Sequence, residues 1–83
     1  MPLFMDVHTI AGEVSVDDVA TAHKADLREQ GHYDVRYLRY WVDERAGRIF
    51  CLVEAPNTDA AHAVHRTAHG LVADEIYRVQ EGA

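Results

Sequence analysis

From Leu3 to Ile10 apolar and polar side chains alternate, with Leu3, Met5 and Val7 on one side and Phe4, Asp6 and His8 on the other. That is the two-residue period of a β-strand. Gly12 interrupts it. Ser15, with Asp18 three residues on, approximates a capping box and predicts a helix start. The helical stripe Val16, Val19, Ala20, His23 and Leu27 runs on to Gln30, and Gly31 supplies the stop. Val35 to Val42, rich in aromatic and β-branched residues, predicts a second strand, and Asp43 to Gly47 a turn. Arg48 to Glu54 then closes a hairpin as the third strand. Beyond Pro56, Asn57 or Thr58 caps a second helix that runs to about His69 and ends at Gly70. Asp74 to Gln80 predicts a fourth strand.

The order β–α–β–β–α–β implies an α+β, ferredoxin-like sandwich over residues 1–83, a single domain with no linker or repeat. Right-handed crossovers put both helices on one face of a four-stranded antiparallel sheet of strand order 4-1-3-2. Apolar patterning assigns Leu3, Met5, Val7, Leu38, Tyr40, Val42, Ile49, Cys51 and Val53 to the helix side. Phe4, Asp6, His8, Tyr37, Arg39, Trp41, Phe50, Leu52 and Glu54 then fall on the open side. Phe4, Tyr37, Trp41, Phe50 and Leu52 are too apolar to face water together, so a homodimer is expected to cover them. A chain of this length buries only about 60% of its unfolded surface, which points the same way.

Composition narrows the partners. Fourteen acidic against eight basic residues give a net charge of −6. Nothing supplies the basic face that phosphate backbones or anionic membranes require, so neither nucleic acid nor membrane is an expected partner. A single cysteine, Cys51, rules out an intrachain disulfide and fits a reducing compartment. No apolar run is long enough for a membrane span, and the N-terminal residues lack the basic segment of a signal peptide. A cytoplasmic location is expected.

Histidine is the unusual residue: there are six, and His62, His65 and His69 fall within eight positions. On a helical wheel with Ala60, Ala61, Val64, Ala68 and Leu71 as the buried stripe, His65, His69 and His62 lie at about 40°, 80° and 100° from Ala61. They share one arc of about 60° along the border of that stripe. Neighbours three or four apart on a helix can present imidazoles to one cation, and neutral imidazole is a good ligand for nickel, copper and zinc. The plainer reading is a half-exposed face that happens to use histidine. Two imidazoles make a weak site, so a functional one needs a further carboxylate, tyrosine or histidine, which a partner subunit could supply.

Asp6 and His8, two apart on a strand, point the same way and form a second donor set, with Glu54 as a third member if its strand is oriented as assigned. Their plainer reading is a hydrogen-bonded polar patch in a dimer interface. His23 reads as a core residue unless Cys51 or Tyr40 lies beneath it, and Cys51 as a small buried hydrophobe. No phosphate loop, nucleophile elbow or paired-cysteine zinc spacing appears.

Four segments taken together are very similar to a known family: Phe4–His8, Val35–Val42, Phe50–Pro56 and Val64–Ile76. The resemblance is to the small nickel-responsive, nickel-binding bacterial proteins, a short family first catalogued as of unknown function. It implies a ferredoxin-like homodimer binding Ni²⁺ through histidine-containing sites, with His65 as ligand. Spacing adds His69, His62, His8 and Asp6 as candidate ligands, and other divalent transition metals suit the same donors. The expected function is to sequester or buffer nickel without turnover. Imidazoles of ordinary pKa would release the ion below about pH 6. The competing reading is a small dimeric α/β-barrel enzyme or ligand-binding protein, with a pocket between the sheets and acid–base chemistry at His8, Asp6 or Glu54.

Overall fold

In the computed structural model, which describes residues 1–83, strand β1 (Leu3–Thr9) leads into helix α1 (Val16–Glu29). The Ser15 hydroxyl caps that helix, accepting from the backbone N–H groups of Asp17 and Asp18 at 3.1 and 3.4 Å. Gly31 does not stop it. The chain tightens instead into a 3₁₀ turn (Gln30–Tyr33) and reverses at Asp34, the only non-glycine residue with a positive φ, 58°. Strands β2 (Arg36–Asp43) and β3 (Arg48–Glu54) form the hairpin, helix α2 (Thr58–Ala68) follows, and β4 (Glu75–Arg78) is shorter than patterning predicts. Asn57 caps α2 by accepting from Ala60 N–H at 2.8 Å. Gly70, at φ 83°, takes the left-handed conformation that ends it.

Strand order is β2-β3-β1-β4, every neighbouring pair antiparallel, with both helices on one face: the ferredoxin-like arrangement. The core lies between sheet and helices and is built from Phe4, Val19, Val35, Tyr37, Ile49, Cys51, Val53, Ala55, Ala61 and Val64. No helix is long and apolar enough to cross a membrane.

Two face assignments are corrected. In β1 the helix side carries Phe4, Asp6 and His8, not Leu3, Met5 and Val7. Apolar counting fails there because two polar side chains are buried against polar partners from the helices. In β2 a register shift between Tyr37 and Arg39 resets the alternation, so that Tyr37 is buried while Tyr40 and Val42 also pack on the core and Leu38 is exposed. The expected side of β3 holds: Ile49, Cys51 and Val53 face the helices. In α1, Asp26 is buried, whereas Val16 and Leu27 are exposed.

The other sheet face has no layer over it. Register aligns Trp41, Phe50 and Val7 in one row across the sheet, and Arg39, Leu52, Met5 and Tyr77 in the next.

Candidate metal centre

Four elements converge beneath α2. Antiparallel register sets Asp6 of β1 directly opposite Cys51 of β3, with His8 two residues along on the same side. His65, 1% exposed, comes down on this pair from α2, and Asp26 reaches it from α1. The wheel puts His65 on the edge of the apolar stripe; the fold draws it to the centre, because carboxylates wait on both sides of its ring.

His65 Nε2 lies 3.0 Å from Asp6 Oδ2 and 3.3 Å from His8 Nε2, and His8 Nε2 lies 3.3 Å from Asp6 Oδ1. The side chains of Asp6, His8 and His65 thus form a small triangle whose contacts use both Asp6 oxygens, and Cys51 Sγ joins the group within 4.8 Å. On the far side of the ring His65 Nδ1 lies 2.9 Å from Asp26 Oδ1, which also meets His69 Nε2 at 3.0 Å. Tyr37 donates its hydroxyl to Asp6 Oδ2 at 2.9 Å and stands 3.1 Å from the Ala61 carbonyl oxygen. The second oxygen, Asp6 Oδ1, is buried and has no hydrogen-bond partner.

Burial by itself would lower the pKa of His65, but the hydrogen bonds and charges of Asp26 and Asp6 outweigh it and hold the ring at about 9. At neutral pH the metal-free ring carries both protons, Nδ1–H donating to Asp26 and Nε2–H to Asp6. Burial would raise both carboxyls, yet the imidazoles against them keep Asp6 well below the ordinary carboxylate range and lower Asp26 as well. Burial, then the Asp6 charge, push the Cys51 thiol far up, so without a metal it is protonated. Burial also lowers His23, whose ring tilts against Tyr40 at 4.7 Å.

These residues fit a divalent ion. With bonds of about 2.0–2.1 Å, adjacent donors in a coordination sphere stand about 3.0–3.4 Å apart, the spacing of the triangle. An unpartnered buried carboxylate oxygen is a costly arrangement that a cation relieves. Neither Asp6 nor Asp26 is paired with lysine or arginine. Their two negative charges match one divalent cation once His65 gives up its proton. A ligating histidine usually donates its other N–H to a carboxylate, and Asp26 stands where that partner is needed.

The structure brings together His65, His8 and Asp6. It sets His69 on the opposite side of the His65 ring, in a second grouping with Asp26. His62 belongs to neither, and its Nδ1 is buried without a partner. Glu54 lies on the open sheet face, 3.5 Å from Arg36, apart from Asp6 and His8. The acid–base pocket expected between two sheets is therefore not where these groups meet. Sequence reasoning missed Asp26 and Tyr37. Asp26 left a signal, an acid on the apolar stripe of α1 three residues beyond His23; Tyr37 left none, because a bulge turns it inward.

Residues 4–79 match the family model described as nickel responsive protein SCO4226-like. No curated protein matches the chain. Among solved structures the chain is similar to the crystal structure of SCO4226 from Streptomyces coelicolor A3(2), at 38% identity and a TM-score of 0.90, over 98% of this chain and 99% of that one. With the match running almost end to end, the protein belongs to the nickel responsive, SCO4226-like family.

Proposed function

We propose that this protein binds Ni²⁺ as cargo at Asp6, His8 and His65, with Cys51 within reach, and buffers the ion in the cytoplasm without turnover. The observation that carries the reading is the triangle of the Asp6, His8 and His65 side chains, with contacts of 3.0–3.3 Å that reach both Asp6 oxygens, one of which has no hydrogen bond. Imidazole and carboxylate suit several divalent metals, and the family's description as nickel responsive supports nickel among them. The lone free cysteine fits a reducing compartment.

Calorimetric titration of the tag-free protein with Ni²⁺ tests this. One ion per chain is expected. His8→Ala and His65→Ala should each weaken binding by at least about 100-fold, because a lost ligand costs more than the 10–100-fold of a supporting partner. His69→Ala, which removes only a partner of Asp26, should cost less. If His69→Ala is as damaging as His65→Ala while His8→Ala binds like the parent, the ion sits on the Asp26 side and the assignment is wrong.

The same reading has the chain work as a homodimer through the open sheet face, where Trp41 and Tyr77 are 47% and 51% exposed beside Phe50, Leu52 and Met5. Light scattering after gel filtration should give twice the 9.3 kDa chain mass, and Trp41→Glu should shift it towards one. A single-chain mass for the parent rejects the dimer.

A further inference from the structure

We propose that the hollow beside the metal centre is a binding site for a small neutral aromatic nitrogen base, of the size of imidazole or pyridine, whose ring fills the hollow and whose nitrogen completes the coordination sphere of the bound ion. This rests on the metal reading above and adds the ligand that the ion is held with.

A cavity of about 130 Å³ opens between α1, the sheet and the segment after α2. Its walls are chiefly apolar, with Ile10, Val14, Val19, Ala22, Ile49 and Leu71 among them. His8, Cys51 and His65 form part of the same lining, so an ion held by the donor triangle borders the hollow. Asp6, His8 and His65 would supply three ligands, which leaves at least one position of a four- to six-coordinate nickel ion to be filled, and up to two in an octahedral sphere if Cys51 also ligates. A position left open on the side of His8, Cys51 and His65 would border this space.

Water is a poor occupant. Nearly all of the accessible wall is apolar, so most waters there would lack the two to four polar partners each needs. An apolar cavity of about 150 Å³ accepts a benzene-sized body, and this hollow, open on one side, is of similar size. The rings of His23 and Tyr40, 4.7 Å apart and tilted by 47°, stand on the wall and give an aromatic guest faces and edges to pack on. The lining contains no lysine or arginine to favour a carboxylate guest, and Asp18 on its rim disfavours one, which leaves a neutral donor as the better fit.

The test uses tag-free full-length protein, with nickel uptake measured first so that failure of the metal reading is seen on its own. Pyridine and benzene are then titrated by calorimetry into metal-free and nickel-loaded protein. Pyridine should bind the loaded protein at least tenfold tighter than the metal-free one, and benzene should bind both alike. Ala22→Leu, which fills the hollow on a helix that accommodates leucine, should abolish pyridine binding and leave nickel affinity within twofold. Ala22→Val is a milder filling that should weaken pyridine in proportion, and circular dichroism checks that both variants fold. With uptake intact, equal pyridine affinity for loaded and metal-free protein overturns the proposal. So does pyridine binding that survives Ala22→Leu, since the base would then reach the ion from outside the hollow.

Discussion

Between pH 6.5 and 9 the metal-free protein is expected to lose stability, while the stabilisation it draws from nickel grows. The cause is His65. In the unfolded chain its pKa is about 6.5, and in the folded protein Asp26 and Asp6 overcome burial and hold it at about 9. The folded state therefore binds a proton that the unfolded state has released. Its contribution is complete below about pH 6.5 and is lost as pH climbs through 9, a loss on the order of 3 kcal/mol. For a domain of this size that is a fall in Tm of more than about 10 °C. The Cys51 thiol, also raised, adds the same sign above about pH 8.5. At the acid end the sign reverses: Asp6 and Asp26, both depressed, contribute above about pH 4 and lose that contribution as pH falls through their folded values. His23, lowered by burial, releases its proton on folding, so its part grows only as pH approaches 6.5. Nickel competes with the His65 proton, so its affinity should rise about tenfold per pH unit up to about 9. Unperturbed imidazoles would have levelled off near neutrality. Thermal melts at pH 5.5, 7, 8 and 9, with and without saturating Ni²⁺, read both trends. A metal-free Tm that is flat from pH 6.5 to 9, or an affinity already constant above pH 7, contradicts the proton-bridged ring.

Removing Asp6 should be the most damaging single truncation. Its carboxylate accepts from Tyr37 and His65 and faces His8, all in the interior. Asp6→Ala strands an imidazolium beside one remaining carboxylate and leaves the Tyr37 hydroxyl with only the Ala61 carbonyl. Breaking a buried pair from one side costs about 3–5 kcal/mol. Single domains hold roughly 0.05–0.15 kcal/mol per residue, so this could take most of the total. Asp6→Asn separates folding from binding. It keeps size and an acceptor, should melt well above Asp6→Ala, and should still weaken nickel by at least about 100-fold, because the charge is gone. An Asp6→Ala variant melting within about 2 °C of the parent would show that the buried network contributes little.

Element order, strand order and both helix starts were legible in the sequence, because caps, turns and periodicity are local and sum to one topology. The site was half legible. A helical wheel finds His65, His69 and His62 together but cannot say which turns inward, and that choice is made by carboxylates more than 35 residues away, at Asp6 and Asp26. The β1 faces came out inverted for a related reason. Alternation reads the more apolar side as the buried one, and here the buried side is the one that carries the chemistry. Asp26 shows where a sharper reading was available: an acid set among apolar helix positions needs a partner, and two imidazoles supply it. Tyr37 needed the β2 register shift, which no composition rule announces.

The hairpin turn Asp43–Gly47 divides the donors evenly. Asp6, His8 and Asp26 precede it, Cys51, His65 and His69 follow it, and Asp43 to Ala46 are all exposed. A protease that nicks this turn leaves two fragments, neither of which alone carries the whole donor set. Cargo retained after such a cut would measure how firmly the two halves still clasp each other, with no covalent bond between them.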